Sequence, residues 1–185
     1  MFAKPPGWPL LTAFSIAALV SLWWVSAPYP YFEFRLWVIL VGGALACVWV
    51  LRAVVALAIN AASVWHHKFR WLLAPLIVCC AYAAVDLDVP FRVRFELSES
   101  ALTAYAHAVA QSGTVSWECH QVGLYRVCWS EMTPGGGARF SVDDWSIRST
   151  VGFIWSPAGQ MPDSDVEQFD LITGPWYAWH GWDEW

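Results

Sequence analysis

The chain has 185 residues, of which 58% are hydrophobic and 14% charged, and 15 are tryptophan. A soluble domain runs at about 45–50% apolar and about 25% charged. Here residues 1–85 carry five Lys/Arg and one acid (Glu33), whereas residues 86–185 carry five Lys/Arg and fourteen acids, net charges of +4 and −9. A single soluble domain, a disordered chain and a basic nucleic-acid binder are excluded, which leaves a membrane anchor joined to a small acidic domain.

A spanning helix needs about 20 apolar residues. Trp8 to Val25 is the first such run, stopped by Pro28-Tyr29-Pro30. Leu36 opens the second, which extends to about residue 62, and the third covers about 71–87. Backbone groups in lipid must be satisfied internally, so all three are expected as helices. Lys68 and Arg70 mark the loop after the second span as cytoplasmic, and Lys4 puts the amino terminus on that side. The loop from Ala27 to Arg35 and everything after Asp86 then lie outside. Trp8, Trp23, Trp24, Trp37, Trp65 and Trp71 stand near span ends, where aromatic belts form. An alternative makes the first span a signal peptide cleaved after Val25-Ser26-Ala27, which Pro28 disfavours; the C-terminal half is outside either way. Arg52 is the one fixed charge within a candidate span. It reads as a snorkelling side chain about one turn from the cytoplasmic end, against the alternative of an ion-path or voltage residue. His66-His67 belongs to a basic juxtamembrane loop, and Gly42-Gly43 with Ala46 and Cys47 offers a weak helix-packing signal.

Beyond the anchor, Phe91-Arg92-Val93-Arg94-Phe95-Glu96-Leu97 alternates apolar and charged residues and predicts a half-buried strand. Ser98 reads as the N-cap of a helix running to about Gln111, with Leu102, Tyr105 and Val109 as its core stripe. Strands are expected at 114–118, at 122–130 with Tyr125, Val127 and Trp129 on one face, at 138–142, at 146–155, at 169–172 and at 176–182. Pro134-Gly135-Gly136-Gly137 makes a turn. The expected fold is therefore a three-helix membrane anchor over residues 1–89 and an extracytoplasmic α+β domain over residues 90–185, with an antiparallel sheet and one helix.

Cys47, Cys79 and Cys80 fall inside spans and read as small apolar residues. Cys119 and Cys128 bracket a hairpin in the outer half, where an oxidising compartment permits a disulfide worth roughly 2–3 kcal/mol. A redox dithiol and half a zinc site are the alternatives, although C-x₂-C spacing and a second ligand pair are missing.

Several segments of the outer half resemble a group of bacterial, notably actinobacterial, small multi-span membrane proteins with a C-terminal extracytoplasmic domain. They are Phe95-Glu96-Leu97-Ser98 with Ala101-Leu102, Val122-Gly123-Leu124-Tyr125, Gly137-Ala138-Arg139-Phe140, Gly152 through Gly159, and Gly174-Pro175-Trp176-Tyr177-Ala178-Trp179. The similarity covers most of residues 91–185, with the cysteine pair outside the pattern. It implies an architecture and no chemistry.

No P-loop, dinucleotide fingerprint, H-E-x-x-H or G-x-S-x-G occurs. Ser156 precedes Pro157 in a turn. Asp163-x-Asp165-x-Glu167 opens like a calcium loop, but Gln168 and Gly174 stand where glycine and glutamate are needed, so an EF-hand is excluded. No catalytic residue, metal or cofactor is assigned. The tail holds Trp176, Trp179, Trp182 and Trp185 at every third position with His180 among them. Two readings stand: a core-closing strand, or a surface for a ligand or partner. The leading functional reading is a non-enzymatic envelope protein in the bacterial cytoplasmic membrane, with lipid and an envelope protein as partners. Its acidity outside the cell argues against nucleic acid. A homo-oligomer stays open. The rivals are a glycan binder or hydrolase using the tail with Asp183 or Glu184, a transport or assembly subunit, and a toxin-immunity protein.

Overall fold

A computed structural model describes residues 6–29, 32–133, 135–143, 150–159 and 167–181. The chain divides into two compact units, Met1–Trp24 with Phe32–Val89, and Val25–Tyr31 with Pro90–Trp185.

In the first unit, α1 (Trp8–Val25) carries Pro9 in its first turn, where a missing backbone N–H costs no helical hydrogen bond. After it come α2 (Phe32–Trp37), a π-helical turn over Val38–Gly42, and α3 (Gly43–His66). His67 separates α3 from α4 (Lys68–Asp86). Among the described residues three stretches are long and apolar enough to cross a membrane, Trp8–Val25, Phe34–Ile59 and Lys68–Asp86. Leu11 and Phe14 of α1 pack on Ala74 of α4, with Leu45, Trp49 and Ile77 around them. A Cβ added to Gly42 or Gly43 would meet open space, so the small residues there face no close neighbour within the chain.

Residues 91–97 are helical, which corrects the strand expected there. They open α5 (Val89–Ser112), and Ser98 lies inside it rather than capping it. Its buried positions are Arg94, Phe95, Ser98, Leu102, Ala106 and Val109. From Phe95 onward the spacing of three and four places them on one helical face, with Arg94 beside it one turn before Ser98. The alternation of 91–97 is a coincidence of composition, since Val93 and Leu97 end up exposed.

Six strands follow among the described residues: β1 (His120–Val122), β2 (Tyr125–Thr133), β3 (Gly137–Val142), β4 (Thr150–Trp155), β5 (Gln168–Thr173) and β6 (Trp176–Gly181). They form one antiparallel sheet in the order β1-β2-β3-β4-β6-β5. Residues 114–118 contribute only the bridge Ser116–Ser130. The 122–130 segment is not one strand, because Gly123 turns at a φ of +60° and makes Gly123-Leu124 a two-residue hairpin loop. A side chain at Gly123 would also strike Ser98, with Cβ atoms 2.7 Å apart, so α5 packs directly on that hairpin.

The core lies between α5 and one face of the sheet. Phe95, Leu102, Ala106 and Val109 meet Val127, Phe140, Phe153 and Trp176. Aromatic edges meet faces there, Tyr125 on Phe153 at 4.9 Å and Phe95 on Trp176 at 5.8 Å between ring centroids. Such contacts add about 1 kcal/mol each beyond buried area. Cys119 and Cys128 are joined as a disulfide, where β2 bulges between Val127 and Trp129.

Gly152 of β4 is the least replaceable position in the sheet, because a Cβ there would lie 2.0 Å from the Phe140 carbonyl oxygen. Gly152→Ala is expected to cost about 2–3 kcal/mol through overpacking, read as a lowered urea midpoint.

Candidate functional site

The face of the sheet opposite α5 carries a cluster built around Arg139. The bulge at Cys128 reverses the side-chain alternation of β2. Val127 pairs with core-facing Val142, whereas Trp129 pairs with Ser141. Trp129 therefore leaves the face of Tyr125 and Val127, where alternation alone had put all three. It meets Trp179 edge to face at 6.0 Å, and Trp117 lies 6.2 Å beyond it.

Arg139 fills the space between these rings. Its guanidinium lies 3.9 Å from the Trp179 ring centroid and 5.2 Å from that of Trp129. Glu131, its cross-strand neighbour, approaches to 3.8 Å, and Glu167 just before β5 makes a direct ion pair with it. The Trp179 indole N–H donates to the Phe140 carbonyl at 3.2 Å, across the space that Gly152 leaves empty. The cluster binds three strands together, and its two carboxylates both face one cation.

Of the two readings of the tail, the core-closing strand is the one this geometry fits at two of its positions. Residues three apart on a strand point to opposite sides. Trp176 goes into the core beside Phe95 and Phe140, and Trp179 goes beneath Arg139; each is 1% exposed. Neither presents a ring to a ligand. His180 is half-buried and its ring lies tilted against that of Tyr29, with centroids 5.2 Å apart. Trp182, Asp183, Glu184, Trp185, Lys4, Asp163 and Asp165 lie outside the described residues. Among the described residues no group of three or more His, Cys, Asp or Glu side chains is placed to hold a metal ion. Arg52 sits within the apolar stretch Phe34–Ile59 and is half-buried.

A second constellation joins the inter-helix segment Val25–Tyr31 to the domain. Arg94, 4% exposed, donates from Nη1 to the Ser26 hydroxyl at 3.1 Å and from Nε to the Leu124 carbonyl at 3.2 Å. Its guanidinium lies 4.1 Å from the Tyr125 ring centroid. The Tyr125 hydroxyl donates to the Ser26 carbonyl at 3.3 Å. Ala27 packs on Val151 of β4, and the Tyr29 hydroxyl donates to Asp170 of β5. Burial raises the Tyr29 phenol well above its ordinary pKa, and the hydrogen bond and negative charge of Asp170 raise it further. None of Ser26, Tyr29, Arg94, Arg139 and Asp170 stands out in the sequence. The signal for Arg94 was its place between Phe91, Phe95, Ser98 and Leu102 at helical spacing.

Comparison with protein-family models, with curated proteins and with solved structures found no match to this chain.

Glu167→Ala should destabilise the domain by about 2 kcal/mol, since it leaves a largely buried guanidinium with one weaker partner. Glu131→Ala, at a more exposed and longer contact, should cost under about 1 kcal/mol; paired urea titrations compare the two. Tyr29 supplies a pH dependence. Its folded pKa is raised, so its contribution is complete below the unfolded value of about 10 and is lost as pH rises above it. Absorbance titration at alkaline pH should show one tyrosine ionising late, and Tyr29→Phe should remove that phase.

Proposed function

We propose that this chain is an integral membrane protein of a bacterial cell envelope, whose disulfide-bonded C-terminal domain stands on the extracytoplasmic side and serves binding or scaffolding. The observation that carries the reading is a domain closed by Cys119–Cys128 and preceded by three helices of spanning length and apolarity. Disulfides persist where the compartment is oxidising. Lys68 and Arg70 at the start of α4 supply the cytoplasmic positive charge.

Parity of the chain supports the same topology. Two of the candidate spans separate Val25–Tyr31 from residues 90–185, so both segments emerge on one side of a bilayer. Their membership of one compact unit fits that requirement. Lipid is the first partner, and an envelope protein is the second. The acidic character of residues 86–185 disfavours a polyanion at this domain.

Alkaline phosphatase fused after Trp185 should be active in intact cells, and a cytosol-dependent reporter at the same position should be silent. Cys119 and Cys128 should resist an impermeant maleimide until a reductant is added. Reporter activity in the cytosol together with free, reactive thiols at both positions would sink the reading.

A further inference from the structure

The segment between the first two spans is held like a bound peptide. Ser26 and Ala27 are each 4% exposed, as deeply placed as core residues. The contacts come from α5 through Arg94, from β2 through Tyr125, from β4 through Val151, from β5 through Asp170 and from β6 through His180. Two of these lie at the start of the domain's chain and three at the end of it. A connecting loop ordinarily runs over the surface, exposed and mobile. This one brings a hydroxyl, a methyl group and a phenol to three separate receivers.

We propose that residues 25–29 are a latch, whose docked or released state sets how firmly the β4-β6-β5 side of the sheet is held. The inference rests on residues 25–31 and 90–185 sharing one side of the membrane, as proposed above. Docked, the latch braces the β4-β6-β5 side of the sheet through Ala27 on Val151 and Tyr29 on Asp170. Released, it leaves the Asp170 carboxylate without the Tyr29 hydroxyl and leaves Val151 uncovered, so that side of the sheet opens more often. Coupling of this kind is reciprocal: whatever loosens the sheet end must also loosen the loop. A partner bound at β5 or β6 would thereby change how residues 25–29 are held, and a change at residues 25–29 would reach those strands.

The test is amide hydrogen exchange on the full chain in detergent micelles, which does not depend on the compartment the domain faces. Failure of the topology would appear in the reporter fusions and not here. Tyr29→Phe keeps the ring and removes only the hydroxyl, so it should fold. It should raise exchange at Val151, Asp170 and His180 by about threefold while Met132 and Phe140 keep the parent rate. Ala27→Asp, which puts a carboxylate against Val151, should raise the same amides by about tenfold or more. From the other end, Asp170→Asn should raise exchange at Ala27 and Tyr29. Unchanged rates in Tyr29→Phe and Asp170→Asn would overturn the latch. So would an equal rise across all six strands, which would make the segment an ordinary part of one cooperative core.

Discussion

A guanidinium withdrawn from water costs several kcal/mol unless its N–H groups find acceptors. Arg94 meets that demand with two pieces of chain distant in sequence: the β1–β2 hairpin, through the Leu124 carbonyl and the Tyr125 ring, and the inter-helix segment, through the Ser26 hydroxyl. The hairpin must come close enough to α5 to offer its carbonyl, which is why Gly123 sits against Ser98 with no room for a side chain. The Ser98 hydroxyl completes the join, donating to the Arg94 carbonyl and accepting from the Leu124 amide. Helix, hairpin and inter-helix segment thus share one polar knot within an aromatic core.

Arg139 solves a similar problem by different means on the opposite face. There the charge is balanced by two carboxylates, and the flat faces of the cation are covered by indole rings. Arginine suits this use better than lysine because its planar, weakly hydrated head can stack and bond at the same time. Both faces of the sheet are therefore packed, one by a helix and one by an arginine between tryptophans. The second layer supplies packing on the face that α5 leaves uncovered.

Much of the architecture is legible in the sequence. The apolar runs give the three long helices, and the glycine- and proline-marked strands of residues 137–181 emerge at nearly the expected places because turn chemistry is local. The misreadings share one cause, which is that period is ambiguous over short stretches. Phe91–Leu97 satisfies a period of two, yet Phe91 and Phe95 also stand one helical turn apart, and only the continuation through Ser98 and Leu102 decides between them. At Trp129 a single inserted residue in β2 inverts every later side chain of that strand. Tryptophan at every third tail position leaves a core-closing strand and a surface both open, and the strand reading is the one that buries Trp176 and Trp179, on opposite sides of the sheet. Contacts such as Tyr29 with Asp170 leave no local trace at all.

That last contact joins residues 141 positions apart. Chain closure over such a distance comes late, since it must wait until β5 has been made. The Cys119–Cys128 crosslink closes over a separation of only nine and needs nothing downstream. Synthesis therefore imposes an order, with the sulfur bridge available early and the inter-helix segment left waiting for its last strands. Until those strands arrive Ser26 and Ala27 stand uncovered, and the folded domain then buries both.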